Sequence, residues 1–345
     1  MQLSFIKQRL IVKIFYMYHR RVLFSIALIL ISTIGAVAQG DDPITVDSSI
    51  VRLNVGVVDG RGRPVTSLDR SDFTIYEDGI KQQINRFEPS SAPFSVVLML
   101  DMSGSTLGFR QVIKLSAARF IDALAPEDRV AVVEFDDKVS LRNDFTTDRE
   151  KIAFSIGAAN GRGKTQLYKA LDFALDKLSK EKTRRKAIIV LTDGVDTAAR
   201  DIDRDRLEGL PDDKVPTAIE PEKSAILNNV LNRADRQGVT IYPLELPTGD
   251  PAKLADPTPR QIAMFDAARK RLRIVAERSG GTLNSIERLE QMGTLYAKVA
   301  ADLRTLYTIE YQPNNDKRDG KWRSIRIETR NPDLISRTRT GYNAR

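Results

Sequence analysis

Two short apolar runs in this chain each end on an acid. Residues 96–100 lead into Asp101, and residues 187–191 into Thr192 and Asp193. Neither run alternates with polar residues, which suits a strand covered on both faces. Such strands need helices above and below them. The spacing predicts helices over 109–124, 149–156, 166–178, 225–237, 264–278 and 289–303, between further strands at 130–135, 239–244 and 281–284. Strand and helix in alternation imply an α/β fold: a doubly wound, mostly parallel, Rossmann-like sheet over residues 94–303.

The flanks have a different texture. Val51, Leu53, Val55 and Val57 alternate with polar residues, as do positions in 73–76, 82–87, 307–311, 322–328 and 337–342. Period-two alternation is the mark of antiparallel strands with one face in water. Residues 47–88 and 304–343 are each too few to stand alone. They are expected to pair as a small composite β-sandwich, joined to the α/β domain by a linker at 89–93. Tyr307 and Trp322 are expected in the core of that unit.

The acids gain meaning from their neighbours. Asp101 opens an Asp-Met-Ser-Gly-Ser run that contributes Ser103 and Ser105. Thr165 sits at the head of an amphipathic segment, and Asp193 ends the second run. In open parallel sheets, ligands sit beyond the carboxyl ends of the strands. Two carboxylates and three hydroxyls form an all-oxygen set suited to a hard divalent cation: Mg2+, or alternatively Mn2+ or Ca2+. Read singly, each residue is ordinary turn or helix-cap chemistry.

Composition narrows the chemistry. There is no cysteine, and the one histidine is His19. Arg20 and Arg21 precede an apolar core at 22–34 and a small-residue site, Ala36-Val37-Ala38. This is the pattern of an export signal over residues 1–38, with Met17 a better-proportioned start. The alternative is an anchor that stays attached, although the core is shorter than the roughly 20 residues a span needs. Removing five bases and no acids from 54 against 46 takes the net charge from +8 to +3. That is no nucleic-acid footprint. Without His or Cys, the mature chain offers neither Ser-His-Asp nor Cys-His catalysis, nor an imidazole or thiolate zinc site.

These residues resemble a known family. The Asp-x-Ser-x-Ser run, the Thr and the Asp are similar to the metal-ion-dependent adhesion site of von Willebrand factor type A domains. The resemblance covers about residues 94–303. Asp72 to Gly79 and Gly341-Tyr342 are similar to flanking motifs of that family's secreted bacterial subgroup. The resemblance implies that Ser103, Ser105 and sometimes Thr165 bind the ion directly, while Asp101 and Asp193 act largely through water. It also implies that a protein partner donates an Asp or Glu carboxylate. Two departures lie near the site: Lys164 precedes the Thr, where small residues are commoner, and a long insertion follows Asp193.

Other readings remain beside this one. Residues 158–165 fit a relaxed P-loop ending Gly163-Lys164-Thr165, which would make the chain an NTPase if a strand preceded it. A metal-dependent hydrolase would need a base beside the ion, and none is evident. A structural envelope protein could use a metal to staple its loops. Residues 198–223 and 245–261 read as long loops, either partner-contacting or solvated. The basic stretch from Lys180 to Lys186 reads as a solvated helix end and turn. The expectation is a non-enzymatic, metal-dependent protein-binding or adhesion module. It would be secreted or held in the periplasm or cell envelope, with no nucleic-acid partner and no membrane span once the signal is cleaved.

Overall fold

The computed structural model describes residues 50–344 apart from 183, 249, 252–253 and 287–291. The expected signal over residues 1–38 lies outside the described residues. The described chain begins with four strands: β1 (Val51–Val58), β2 (Phe73–Glu77), β3 (Ile80–Gln82) and β4 (Ile84–Glu88). An α/β unit follows. Its first half is β5 (Phe94–Asp101), α1 (Arg110–Ala123), β6 (Arg129–Phe135), β7 (Val139–Thr146), α2 (Arg149–Ala158) and α3 (Leu167–Ser179). Its second half is β8 (Arg185–Thr192), α4 (Thr197–Leu207), α5 (Val215–Ala218), α6 (Ala225–Gln237), β9 (Val239–Glu245), α7 (Pro259–Ser279), β10 (Asn284–Ser285) and α8 (Met292–Thr305). Four more strands end the chain: β11 (Leu306–Tyr311), β12 (Trp322–Thr329), β13 (Ile335–Arg337) and β14 (Gly341–Asn343).

The central sheet runs β10-β9-β8-β5-β6-β7, parallel throughout except at β7. Side chains of β5 alternate between two cores. Val96, Leu98 and Leu100 join Ile113, Phe120, Tyr296 and Val299 on one face. Val97 and Met99 join Leu171, Leu175, Leu231 and Leu272 on the other. A strand apolar at every position is what two helix layers require. The α/β fold class expected from the sequence is the one observed, a mostly parallel sheet between helices with antiparallel sheets beside it.

Two four-stranded sheets make up the remainder: β13-β1-β11-β4 and β14-β12-β2-β3. Each mixes strands from the two ends of the described chain. Leu53, Val55, Ile75, Tyr307, Ile309 and Ile327 form the core between them. Asn54 ties this unit to the α/β sheet. Its amide donates to Thr240 Oγ1 at 2.6 Å and to the Gly238 carbonyl at 3.1 Å.

Several local expectations are corrected. Strand β7 escapes the sequence reading because Asn143 occupies an inward position, where its amide donates to the Val130 carbonyl. Residues 198–223 are not one long loop. They hold α4, α5 and a 3-10 turn at Pro221–Lys223. The buried stripe of α4 is Ala199, Asp203 and Leu207, and the acid in its middle hides the helical period. Thr258 opens α7 with a capping box to Gln261, and Pro259 follows, so part of the 245–261 stretch is also helical. The basic stretch is not all solvated, since Arg185 and Lys186 are buried at the head of β8. Trp322 is 44% exposed, on the outer face of β12, with the Arg278 guanidinium 5.2 Å from its ring centre. Tyr307 is fully buried.

Candidate functional site

The carboxyl ends of β5 and β8 lie side by side, because Leu100 pairs with Leu191. Asp101 is the last residue of β5, and Asp193 follows the last residue of β8. Both carboxyl groups are buried. Among the described residues neither forms an ion pair with a lysine or arginine. Burial, and after it the like charge of Asp193, push the Asp101 carboxyl up to about 7. Two buried acids close enough to repel each other leave a deficit of positive charge at this spot.

Hydroxyls and amides position each acid. Asp101 Oδ1 accepts from the Ser103 amide at 3.0 Å, and Oδ2 from Thr192 Oγ1 at 2.7 Å. Asp193 Oδ1 accepts from the Val195 amide at 3.1 Å, and Oδ2 from Thr248 Oγ1 at 3.0 Å. A carboxylate oxygen has two acceptor sites, so each retains capacity toward an ion or its waters. Ser103 and Ser105 place their Oγ atoms 3.2 Å apart. That matches the edge of about 3 Å in an octahedron with bonds near 2.1 Å. Ser105 is exposed, and Ser103 lies beneath it.

Thr165 arrives on a neighbouring loop. The Gly104 amide donates to the Gly163 carbonyl at 2.9 Å, which joins that loop to the serine turn. The Thr165 amide donates to Thr197 Oγ1 at 3.1 Å, and the Thr197 amide returns a bond to the Thr165 carbonyl at 2.9 Å. Arg110 adds a clamp, donating to Met102 O at 2.9 Å, to the Gly161 carbonyl and to Asn160 Oδ1 at 2.8 Å. The structure thus brings Asp101, Ser103, Ser105, Thr165 and Asp193 to one end of the sheet. Thr192, Thr248 and Arg110 belong to no motif that reveals these roles in the sequence. Thr192 was legible only as a neighbour of Asp193, and the other two carry no local signal.

The donor set fits a hard cation better than a soft one. Among the described residues no group of three or more His, Cys, Asp or Glu side chains could hold a metal, so an ion here would rest on hydroxyls as well as acids. The P-loop reading meets the wrong context. The segment ahead of it is helix α2, not a strand. The Arg162 and Lys164 amides are already held, by Asp136 Oδ2 at 2.6 Å and Asp137 Oδ1 at 2.8 Å. A phosphate cradle needs such amides free. Beyond Gly194 and Val195, a cavity of about 170 Å³ opens between α4 and α7, with the paired Asp203 and Arg271 on its wall.

Comparison with known proteins finds a likeness over this part of the chain. Residues 96–195 match the family model of the von Willebrand factor type A domain, a match over less than a third of the chain. Such domains are often metal-dependent adhesion or protein-interaction modules and are mostly non-enzymatic. An uncharacterized protein of Synechocystis is 32% identical over 106 residues, which are 30% of this chain and 25% of that one. The matched stretch thus spans about a quarter of that relative. Among solved structures, the chain is similar to the vWF domain of the type V pili tip protein Mfa5 from Porphyromonas gingivalis. That match has 16% identity and a TM-score of 0.44, covering 61% of this chain and 95% of that one. It is also similar to a von Willebrand factor type A protein from Catenulispora acidiphila, with 14% identity and a TM-score of 0.45 over 79% and 63% of the two chains. A third likeness is to proximal thread matrix protein 1 of the mussel byssus, described with a zinc-occupied MIDAS motif. There the identity is 14% and the TM-score 0.45, over 64% and 47%. Among the described residues no helix is long and apolar enough to cross a membrane.

Proposed function

We propose that the chain is an exported, metal-ion-dependent binding module whose ion captures a carboxylate from a protein partner. The supporting observation is the pair of buried acids, Asp101 and Asp193, that repel each other without a lysine or arginine partner. Ser103, Ser105 and Thr165 would offer neutral oxygens, and the two aspartates would balance the ion's charge. A divalent ion such as Mg2+ would supply an electrophilic centre with a position open to an incoming acid. Hydroxyl ligands quench that centre less than carboxylates would. Because Ser105 is exposed, the side of the ion left open would face solvent. Thr192 and Thr248 hold the acids in place, and Arg110 holds the two loops together.

Calorimetry with Mg2+ on the wild type and Asp101→Ala tests this reading. The wild type should bind one ion with modest affinity, and the variant should bind none while keeping its far-UV spectrum. Equal binding by both would overturn the assignment of the five residues. Export rests on the Arg20 to Gln39 pattern. Cleavage after Ala38 would leave Gln39 as the mature N-terminus, outside the cytoplasm. Mass spectrometry of the native protein reads this directly, and a retained Met1 or Met17 in a membrane-embedded chain would refute it.

A further inference from the structure

The loop that carries Thr165 also carries two exposed cations, Arg162 and Lys164, in the residues just ahead of it. The Gly104–Gly163 hydrogen bond sets the backbone beside Lys164 against the Ser103–Ser105 turn. The loop is fixed from below. Asp136 and Asp137, in the turn between β6 and β7, direct their carboxylates at the Arg162 and Lys164 amides. Only glycine permits this at two positions. A Cβ at Gly161 would lie 2.6 Å from Asp136 Oδ2, and one at Gly163 would lie 2.1 Å from Asp137 Oδ2. Gly163 also has φ +137°, which disfavours any side chain.

Both aspartates are therefore engaged with the loop's backbone. The side chains of Arg162 and Lys164 are exposed and form no ion pair among the described residues. Lys138, exposed in the same turn as the two aspartates, adds a third cation. We propose that Arg162 and Lys164 form a cationic flank that selects partners presenting a second carboxylate beside the one bound at the metal. This rests on the metal reading above and adds the partner's chemistry to it, an acidic segment rather than a single acid. Charges at an exposed rim act mainly on encounter and selectivity, and salt screens them.

The test uses the full chain loaded with Mg2+ and three capped glycine-rich pentapeptides. One peptide has a single aspartate, one has two adjacent aspartates, and one has two aspartates separated by a glycine. Binding is followed by NMR titration at low and high salt. The better two-acid peptide should bind about fivefold tighter than the one-acid peptide at low salt, and the advantage should shrink as salt rises. The double variant Arg162→Ala/Lys164→Ala keeps both backbone amides. It should lose that advantage while retaining wild-type affinity for Mg2+ and for the one-acid peptide. Lys164→Arg should keep the preference. Equal binding of all three peptides, or a preference that survives in the double variant, would overturn this proposal alone. Mg2+ binding with no peptide binding would overturn the carboxylate reading, and this proposal with it.

Discussion

Thr192 shows how one hydroxyl can organise a buried acid. It donates to Asp101 Oδ2 and accepts from the Gly194 amide at 3.0 Å, so it links the ends of β5 and β8. Thr192→Val keeps the shape and removes both bonds. It should cost about 1–3 kcal/mol, because a buried carboxyl and a buried amide each lose a partner. Urea denaturation in the presence of chelator measures this, and an unchanged midpoint would contradict it. The five candidate ligands were legible because motif spacing and strand ends announce them. Thr248 was not, because its link to Asp193 crosses 55 positions of sequence. Arg110 bridges 51 positions to the Gly161 carbonyl.

Helix α4 is hard to see in the sequence, and its packing explains both its stability and its concealment. Asp203 on α4 and Arg271 on α7 form a two-bond pair at 2.6 and 2.7 Å, with both side chains buried. A charged residue at the centre of the buried face removes the apolar period that reveals a helix in sequence. The same pair sets a stability prediction. Arg271→Met strands the Asp203 charge in the interior and should cost about 3–5 kcal/mol. Asp203→Leu together with Arg271→Met should recover most of that loss, since no unpaired charge remains. Chemical denaturation of the single and double variants decides this, and a double variant no more stable than the single would contradict it. By contrast, α3 was plain in the sequence. Its buried face is Leu167, Tyr168, Ala170, Leu171, Ala174, Leu175 and Leu178, with no charge among them.

At the scale of the whole molecule, the head of β8 is the joint. Arg185 donates to the carbonyls of Ser90 at 2.7 Å, Leu303 at 3.4 Å and Leu306, and its Nε donates to the Ala92 carbonyl at 2.7 Å. Lys186 lies beside it, and burial lowers its amine to about 8, with Arg52 adding to the effect and Glu181 and Glu310 opposing it. Below that pH both the folded and unfolded chains carry the proton, and the penalty for burying it is complete. Between about 8 and 10.5 the unfolded chain binds more protons, so stability should rise with pH. Lys186→Met should therefore be more stable than wild type at pH 7, by roughly 1–3 kcal/mol, with the gain fading toward pH 10.5. Denaturation midpoints of both proteins across that range check it, and a gain independent of pH would contradict it.

Thr308 of β11 sits opposite Glu88 of β4. Seen from this pair of strands, the whole α/β unit is the loop of a single β-hairpin. Closing a long loop costs entropy that grows only slowly with length, but the search for its ends is slow while the loop is unfolded. Once the α/β unit has folded, those ends are already neighbours. Assembly then has an order in time: the interior of the chain settles first, and its two flanks zip together afterward. The single tryptophan, Trp322, lies in β12 and reports on that second event. In refolding, its fluorescence should trail the recovery of far-UV ellipticity, and a tryptophan signal that leads or coincides would contradict this order.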